Sequence, residues 1–127
     1  MHIILSRTSG VPMYEQIAAH IREAIWSGAL PPGTPLPSLR QLARDLEVSL
    51  ITTTRAYNDL AAEGLIANQA GRGSFVLPQD DEKTQKRLLS QLDKQIDQAI
   101  ATARLAGLDA ESLIERTESR WTHSQEK

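Results

Sequence analysis

Hydroxyl and guanidinium side chains gather in one stretch of this sequence. Ser38, Arg40 and Arg44 come first, Ser49-Leu50-Ile51-Thr52-Thr53-Thr54-Arg55 follows, and Gly71-Arg72-Gly73 closes the set. Nothing in it resembles a nucleophile with a base, so the chemistry it offers is recognition of a polyanion. Hydroxyls and amides at the start of a helix suit phosphate oxygens, and the helix dipole assists them. Arginine adds a planar fork that fits phosphate or guanine in bidentate fashion. Arg40 stands where a positive charge sits poorly with the dipole of a helix start, a local cost that hints at function. Leu50 and Ile51 are apolar where the first turn should be exposed. They read either as partners for thymine methyl groups or as ordinary exposed apolar side chains.

The elements that must position these residues follow from periodicity. Tyr14, Ile17, Ala18, Ile21, Ala24 and Ile25 recur in steps of three and four, one face of an amphipathic helix that Pro12 opens and Gly28 closes. Leu30-Pro31-Pro32-Gly33 is a turn. Ser38 N-caps a second helix with Leu39, Leu42, Ala43 and Leu46 inward, and Val48 fills the turn after it. Ser49 caps a third, with Ala56, Tyr57, Leu60 and Ala61 inward and Gly64 at its end. Two apolar runs, 65–68 and 74–77, flank Gly71-Arg72-Gly73 and predict a hairpin. Two short helices, a tight turn and a two-stranded wing are the layout of a winged helix-turn-helix, which lays its third helix in a DNA major groove.

Charge does not advertise this role. The chain has 127 residues and a net charge of −2, and residues 1–78 hold six basic and six acidic side chains. All six basic residues there are arginine, so attraction to DNA must come from placement rather than bulk charge. Cysteine is absent, which excludes disulfides and thiolate chemistry and fits a cytoplasmic protein. No signal peptide and no membrane span are expected. The three histidines lie far apart without ligand-spaced partners, so neither a metal nor a cofactor is expected, and no enzyme motif stands out.

Pro78 and the acidic run after it set a boundary between a head, 1–78, and a tail, 79–127. The tail predicts a helix from about residue 82 to 106 with a seam of Leu89, Leu92, Ile96, Ala99 and Ala103. Gly107 ends it. Asp109 caps a last helix carrying Leu113, Ile114 and Trp121, with Leu108 and Leu113 as its hydrophobic staple. Some 25 helical residues extend about 40 Å, and the most economical cover for such a seam is the same helix of a second chain. Burial against the head or the last helix is the alternative.

The residues resemble the GntR family of bacterial transcriptional regulators. The matching elements are Pro12-x-Tyr14-x-x-Ile17, Gly28-x-Leu30-x-x-Gly33 and Leu36-Pro37-Ser38-x-Arg40-x-Leu42-Ala43. They continue through Val48-Ser49-x-x-Thr52, Arg55-Ala56-Tyr57-x-x-Leu60-x-x-Glu63-Gly64-Leu65-Ile66 and Gly71-x-Gly73-x-Phe75-Val76. The resemblance implies that Ser38, Arg40, the turn Ser49–Thr53, Arg55 and the wing tip Gly71–Gly73 touch DNA. Many members carry Arg or Asn in the two positions after the Val-Ser pair, where this chain has Leu50 and Ile51, so its operator preference should differ. The short tail is similar to that of the YtrA-type subfamily, in which it serves dimerisation and whose members often control transporter genes and themselves.

The expectation is a mainly α protein with a small β-wing and a two-helix dimerisation region, acting as a homodimeric repressor on a pseudo-palindromic site in double-stranded DNA. A protein-interaction module remains an alternative, as does a regulator gated by an unidentified small-molecule effector held between tail and head.

Overall fold

In the computed structural model, residues 2–125 are described, and they form two compact units that divide between Asp80 and Asp81. The first contains α1 (Met13–Trp26), α2 (Leu39–Leu46), α3 (Leu50–Ala62) and the antiparallel strands β1 (Ile66–Gln69) and β2 (Gly73–Val76). The second contains α4 (Asp81–Leu105) and α5 (Ala110–Gln125). The protein is mainly helical with a small two-stranded sheet, as expected from the sequence.

The helices of the first unit follow their apolar periodicity. α1 buries Ile17, Ala18, Ile21 and Ile25, and α3 buries Thr53, Ala56, Tyr57 and Leu60. These faces meet with Leu42, Leu65, Ile66 and Val76 in one core. The Arg22 guanidinium grips the Glu63 carboxylate through two nitrogens (Nη2–Oε2 2.8 Å, Nε–Oε1 3.1 Å), pinning α1 to the end of α3. Both helices of the turn are capped as the sequence predicts. Ser38 Oγ accepts from the Gln41 N–H and Ser49 Oγ from the Thr52 N–H, each at 3.1 Å. Such caps are worth about 1 kcal/mol each.

Three features go beyond the sequence reading. Glu47 ends α2 in the left-handed conformation (φ 55°, ψ 46°), which side-chain-bearing residues seldom adopt. The lead-in before α1 is tied down by Gln16. Its Oε1 accepts from the Ser6 N–H (2.8 Å) and its Nε2 donates to the Ser6 and Val11 carbonyls (2.7 and 2.8 Å), while Ile3 and Leu5 rest on the core. The proline-rich turn also serves the wing. The Gly33 N–H donates to the Val76 carbonyl (2.8 Å), the Val76 N–H to Thr34 (3.0 Å) and the Leu36 N–H to Ser74 (2.9 Å). Residues 33–36 thus form a further edge on β2, with Pro35 opposite Phe75. Proline is tolerated there because an edge residue need not donate to the ladder.

In the second unit, Gly107 (φ 78°) ends α4, and Asp109 Oδ1 accepts from the Ser112 N–H at 2.9 Å to cap α5. The Ser112 N–H and hydroxyl hold the Asp109 carboxyl below the usual carboxylate range.

Tyr57 is 1% exposed and its hydroxyl donates to the Pro37 carbonyl at 2.7 Å. Burial pushes this phenol above the usual tyrosine range. The unfolded chain therefore releases the Tyr57 proton first, near pH 10. The stabilisation is complete below that pH and declines as pH rises beyond it. Tyr57→Phe should lower unfolding free energy by about 1 kcal/mol at pH 7. It should also flatten the fall in stability above pH 10, both readable from urea titrations across pH.

Candidate nucleic-acid interface

The N-terminal turn of α3 is the centre of the candidate site. The helix buries its Thr53–Ala56–Tyr57–Leu60 face, and at about 100° per residue the opposite side carries Ile51, Arg55 and Asn58. Ile51 is 80% exposed and Leu50 40%, so two large apolar side chains stand uncovered at a helix start. Ser49 Oγ lies 2.8 Å from Thr52 Oγ1. That pair caps the helix and still presents hydroxyls at its positive end.

Around this turn the sequence-predicted residues fall into two groups. Ser38, Arg40, Leu50 and Gly71, together with Thr54 and Asn58, line one open groove between the start of α2, the outer side of α3 and the wing. Gly73 lines it too. Arg44 and Arg55 lie on exposed helix faces outside that lining, and Arg72 is exposed at the wing tip. The tip is closed by the Arg72 N–H donating to the Gln69 carbonyl (3.0 Å), and Gly71 supplies the positive φ (78°) the turn needs. With Arg22 engaged by Glu63, the exposed arginines of the first unit are Arg7, Arg40, Arg44, Arg55 and Arg72. The placement of charge, rather than its sum, is thus what the first unit offers an anion.

Thr53 does not belong to this surface. It is 0% exposed, and its one hydroxyl proton is shared between the Leu39 and Leu50 carbonyls, both at 3.1 Å. The sequence reading treated three threonines as one contact run, whereas successive helix positions point 100° apart and the middle one faces the core. Thr54 also turns its hydroxyl back, onto the Leu50 carbonyl at 2.7 Å.

Two residues join the site that sequence reasoning did not assign to it. The Arg55 guanidinium stacks over the Tyr14 ring, 3.7 Å from its centroid, so α1 supplies an aromatic platform for a cation of α3. Asn58 follows Leu50 and Thr54 at steps of four, a spacing that reveals it once the buried face is known. Among the described residues no group of His, Cys, Asp and Glu is arranged to hold a metal ion, and no helix is long and apolar enough to cross a membrane.

In the second unit, Leu89, Leu92 and Ile96 remain 51%, 47% and 45% exposed along α4, and Trp121 is 68% exposed on α5. Ala99 is exposed as well. Ala103 is buried at 7%, so little of it is left for a partner. It lies with Ile96, Ile100, Leu108, Leu113 and Ile114 along an apolar groove between α4 and α5.

Comparison with known proteins places these features in a family. The profile described as bacterial regulatory proteins, gntR family, matches residues 13–76. The HTH-type transcriptional repressor YtrA of Bacillus subtilis (strain 168) is 33% identical over 107 residues, spanning 84% of this chain and 82% of the relative. The structure of YtrA from Sulfolobus acidocaldarius, a GntR-family transcription factor, is 37% identical and superposes with a TM-score of 0.58, covering 71% of this chain and 95% of that one. AraR(DBD), solved in complex with operator ORX1, is 26% identical with a TM-score of 0.53, covering 60% of this chain and 95% of that one.

The buried position of Thr53 has a measurable consequence. Thr53→Val should lower unfolding free energy by about 1 kcal/mol while leaving DNA affinity of the folded protein unchanged. Weakened binding with unaltered stability would return Thr53 to the interface.

Proposed function

The chain belongs to the gntR family of bacterial regulatory proteins, and we propose that it is a cytoplasmic, homodimeric repressor that binds a pseudo-palindromic operator. The family assignment makes it a DNA-binding transcriptional regulator and not an enzyme. The observation that carries the finer reading is the uncovered first turn of α3, with Leu50 and Ile51 bare between arginine-bearing flanks. A major groove offers thymine methyl groups to two such apolar side chains at a capped helix start.

In this reading Ser38, Ser49 and Thr52 hold phosphates through hydroxyls and helix N-termini. Arg44 and Arg55 add charge to the backbone contact, and Arg72 with Gly71 and Gly73 reaches the adjacent groove from the wing. Arg40, Leu50 and Ile51 read base edges. Apolar side chains in place of Arg or Asn shift the preferred bases from guanine or adenine toward thymine.

The tail supplies the second half-site. The bare stripe of Leu89, Leu92 and Ile96 and the groove between α4 and α5 are both apolar, and one twofold partner covers them together. A dimer with two recognition helices reads a site with matching symmetry. Regulation of a transporter operon and of its own gene extends this reading by likeness to the short-tailed subfamily, which is association rather than geometry.

Three measurements test the proposal. Anisotropy titration should find tight, salt-sensitive binding to the DNA upstream of the protein's own gene and weak binding to a scrambled duplex. Equal, weak binding to both would count against an operator there. Arg40→Ala should cost about 1–3 kcal/mol and relax preference at one position of each half-site. Sedimentation of Leu92→Asp/Ile96→Asp should give a monomer, and a persistent dimer would put the interface elsewhere.

A further inference from the structure

Arg7 precedes the residues that match the family profile, and its side chain reaches across to the turn between α2 and α3. Its Nη2 donates to the Glu47 carbonyl at 3.1 Å, forty residues along the chain. The backbone that carries Arg7 is held in place. The neighbouring Ser6 gives its N–H to Gln16 Oε1 (2.8 Å) and its carbonyl accepts from Gln16 Nε2 (2.7 Å). The carbonyl that Arg7 meets belongs to the left-handed cap, two residues before Ser49. An arginine has five N–H donors in a rigid fork, and one of them is engaged here.

From this geometry we infer that Arg7 is a DNA-backbone contact. The lead-in segment delivers a fixed guanidinium to the phosphate that the N-terminus of α3 approaches. The inference rests on the DNA-binding reading above and extends the interface to a segment that reading does not use. Arg7 is exposed, and no carboxylate forms an ion pair with it among the described residues. Glu47 offers its backbone oxygen, which orients the guanidinium without neutralising it. Residues 1–78 have zero net charge, so one more arginine near the helix start is a substantial addition to the local potential.

A phosphate contact has a signature that a purely structural hydrogen bond lacks. Each neutralised phosphate adds about 0.9 to the slope of log affinity against log salt. The test uses the full-length protein and the duplex that it selects from a random-sequence library. Arg7→Gln keeps a polar side chain but carries no charge and is two bonds too short to reach the Glu47 carbonyl, an exposed contact of small weight, and Arg7→Lys retains the charge. Arg7→Gln should shallow the salt slope by about 0.9 and weaken binding roughly eightfold at 0.1 M salt. Base preference and melting temperature should stay unchanged, and Arg7→Lys should keep the slope. If Arg7→Gln binds with the wild-type slope, or both variants lose thermal stability and affinity together, Arg7 is a structural clasp and the inference is overturned. If the wild-type protein selects no duplex at all, the DNA-binding reading fails with it, an outcome distinct from a wild type that binds and a variant that matches it.

Discussion

The Thr53 hydroxyl donates to the Leu39 carbonyl, and one turn later the Tyr57 hydroxyl donates to the Pro37 carbonyl. Both acceptors lie at the entry to α2, on either side of Ser38. The two bonds therefore tie successive turns of α3 to the start of α2 and fix how α3 is rotated about its axis. A slip of one residue, about 100°, would carry Ile51 toward the core and bring Thr53 into water. Everything that faces outward depends on that rotation: the bare Leu50 and Ile51, Arg55 over its tyrosine, and Asn58 beside the wing. Buried hydroxyls add direction to such packing: Tyr57 has its acceptor across the helix pair at Pro37, and Thr53 shares its proton between Leu39 of α2 and Leu50 of its own helix.

Neutrality of residues 1–78 has a physical use. Binding to random DNA comes almost wholly from counterion release, so a head with equal numbers of acids and bases keeps that term small. Arg22 is occupied by Glu63, and the arginines that remain exposed are spread over the lead-in, α2, α3 and the wing tip. The apolar pair at the start of α3 adds nothing to the electrostatic term. In the proposed complex it contributes only where methyl groups stand in the groove. In the proposed complex, discrimination thus weighs heavily relative to affinity.

Periodicity and capping residues made the helices legible. Ser38 and Ser49 announced two N-termini, and steps of three and four marked α1, α3 and α4 within a residue or two of their ends. What the sequence concealed is non-local or depends on rotation. Thr53 was indistinguishable from Thr52 and Thr54 until the buried face of α3 was known. The pairing of residues 33–36 with β2 was masked by prolines, which signal turns locally and carry no record of a distant strand. The left-handed Glu47 has no sequence signature, since glycine or asparagine is the usual mark of that conformation. Arg7 and Gln16 form their contacts across forty and ten residues, beyond the reach of any local pattern.

The tail raises a different question, because α4 carries more apolar surface than its own unit covers. Ala103 is buried, while Leu88, Leu89, Leu92 and Ile96 keep between 41% and 51% of their surface exposed. At about 25 cal/mol per Å² such a stripe represents several kcal/mol that a second chain can recover. Its value to function lies in what it joins. In the proposed dimer, two heads held together meet the second half-site at an effective concentration in the millimolar range, so their affinities combine without any new contact to DNA. A neutral head that binds one half-site weakly then suffices, and the weakness becomes useful, since a single accidental half-site retains the protein poorly. Low head charge and an apolar tail are in this sense two parts of one arrangement. In the proposed dimer the head limits non-specific affinity, and the tail restores affinity only where half-sites occur in pairs.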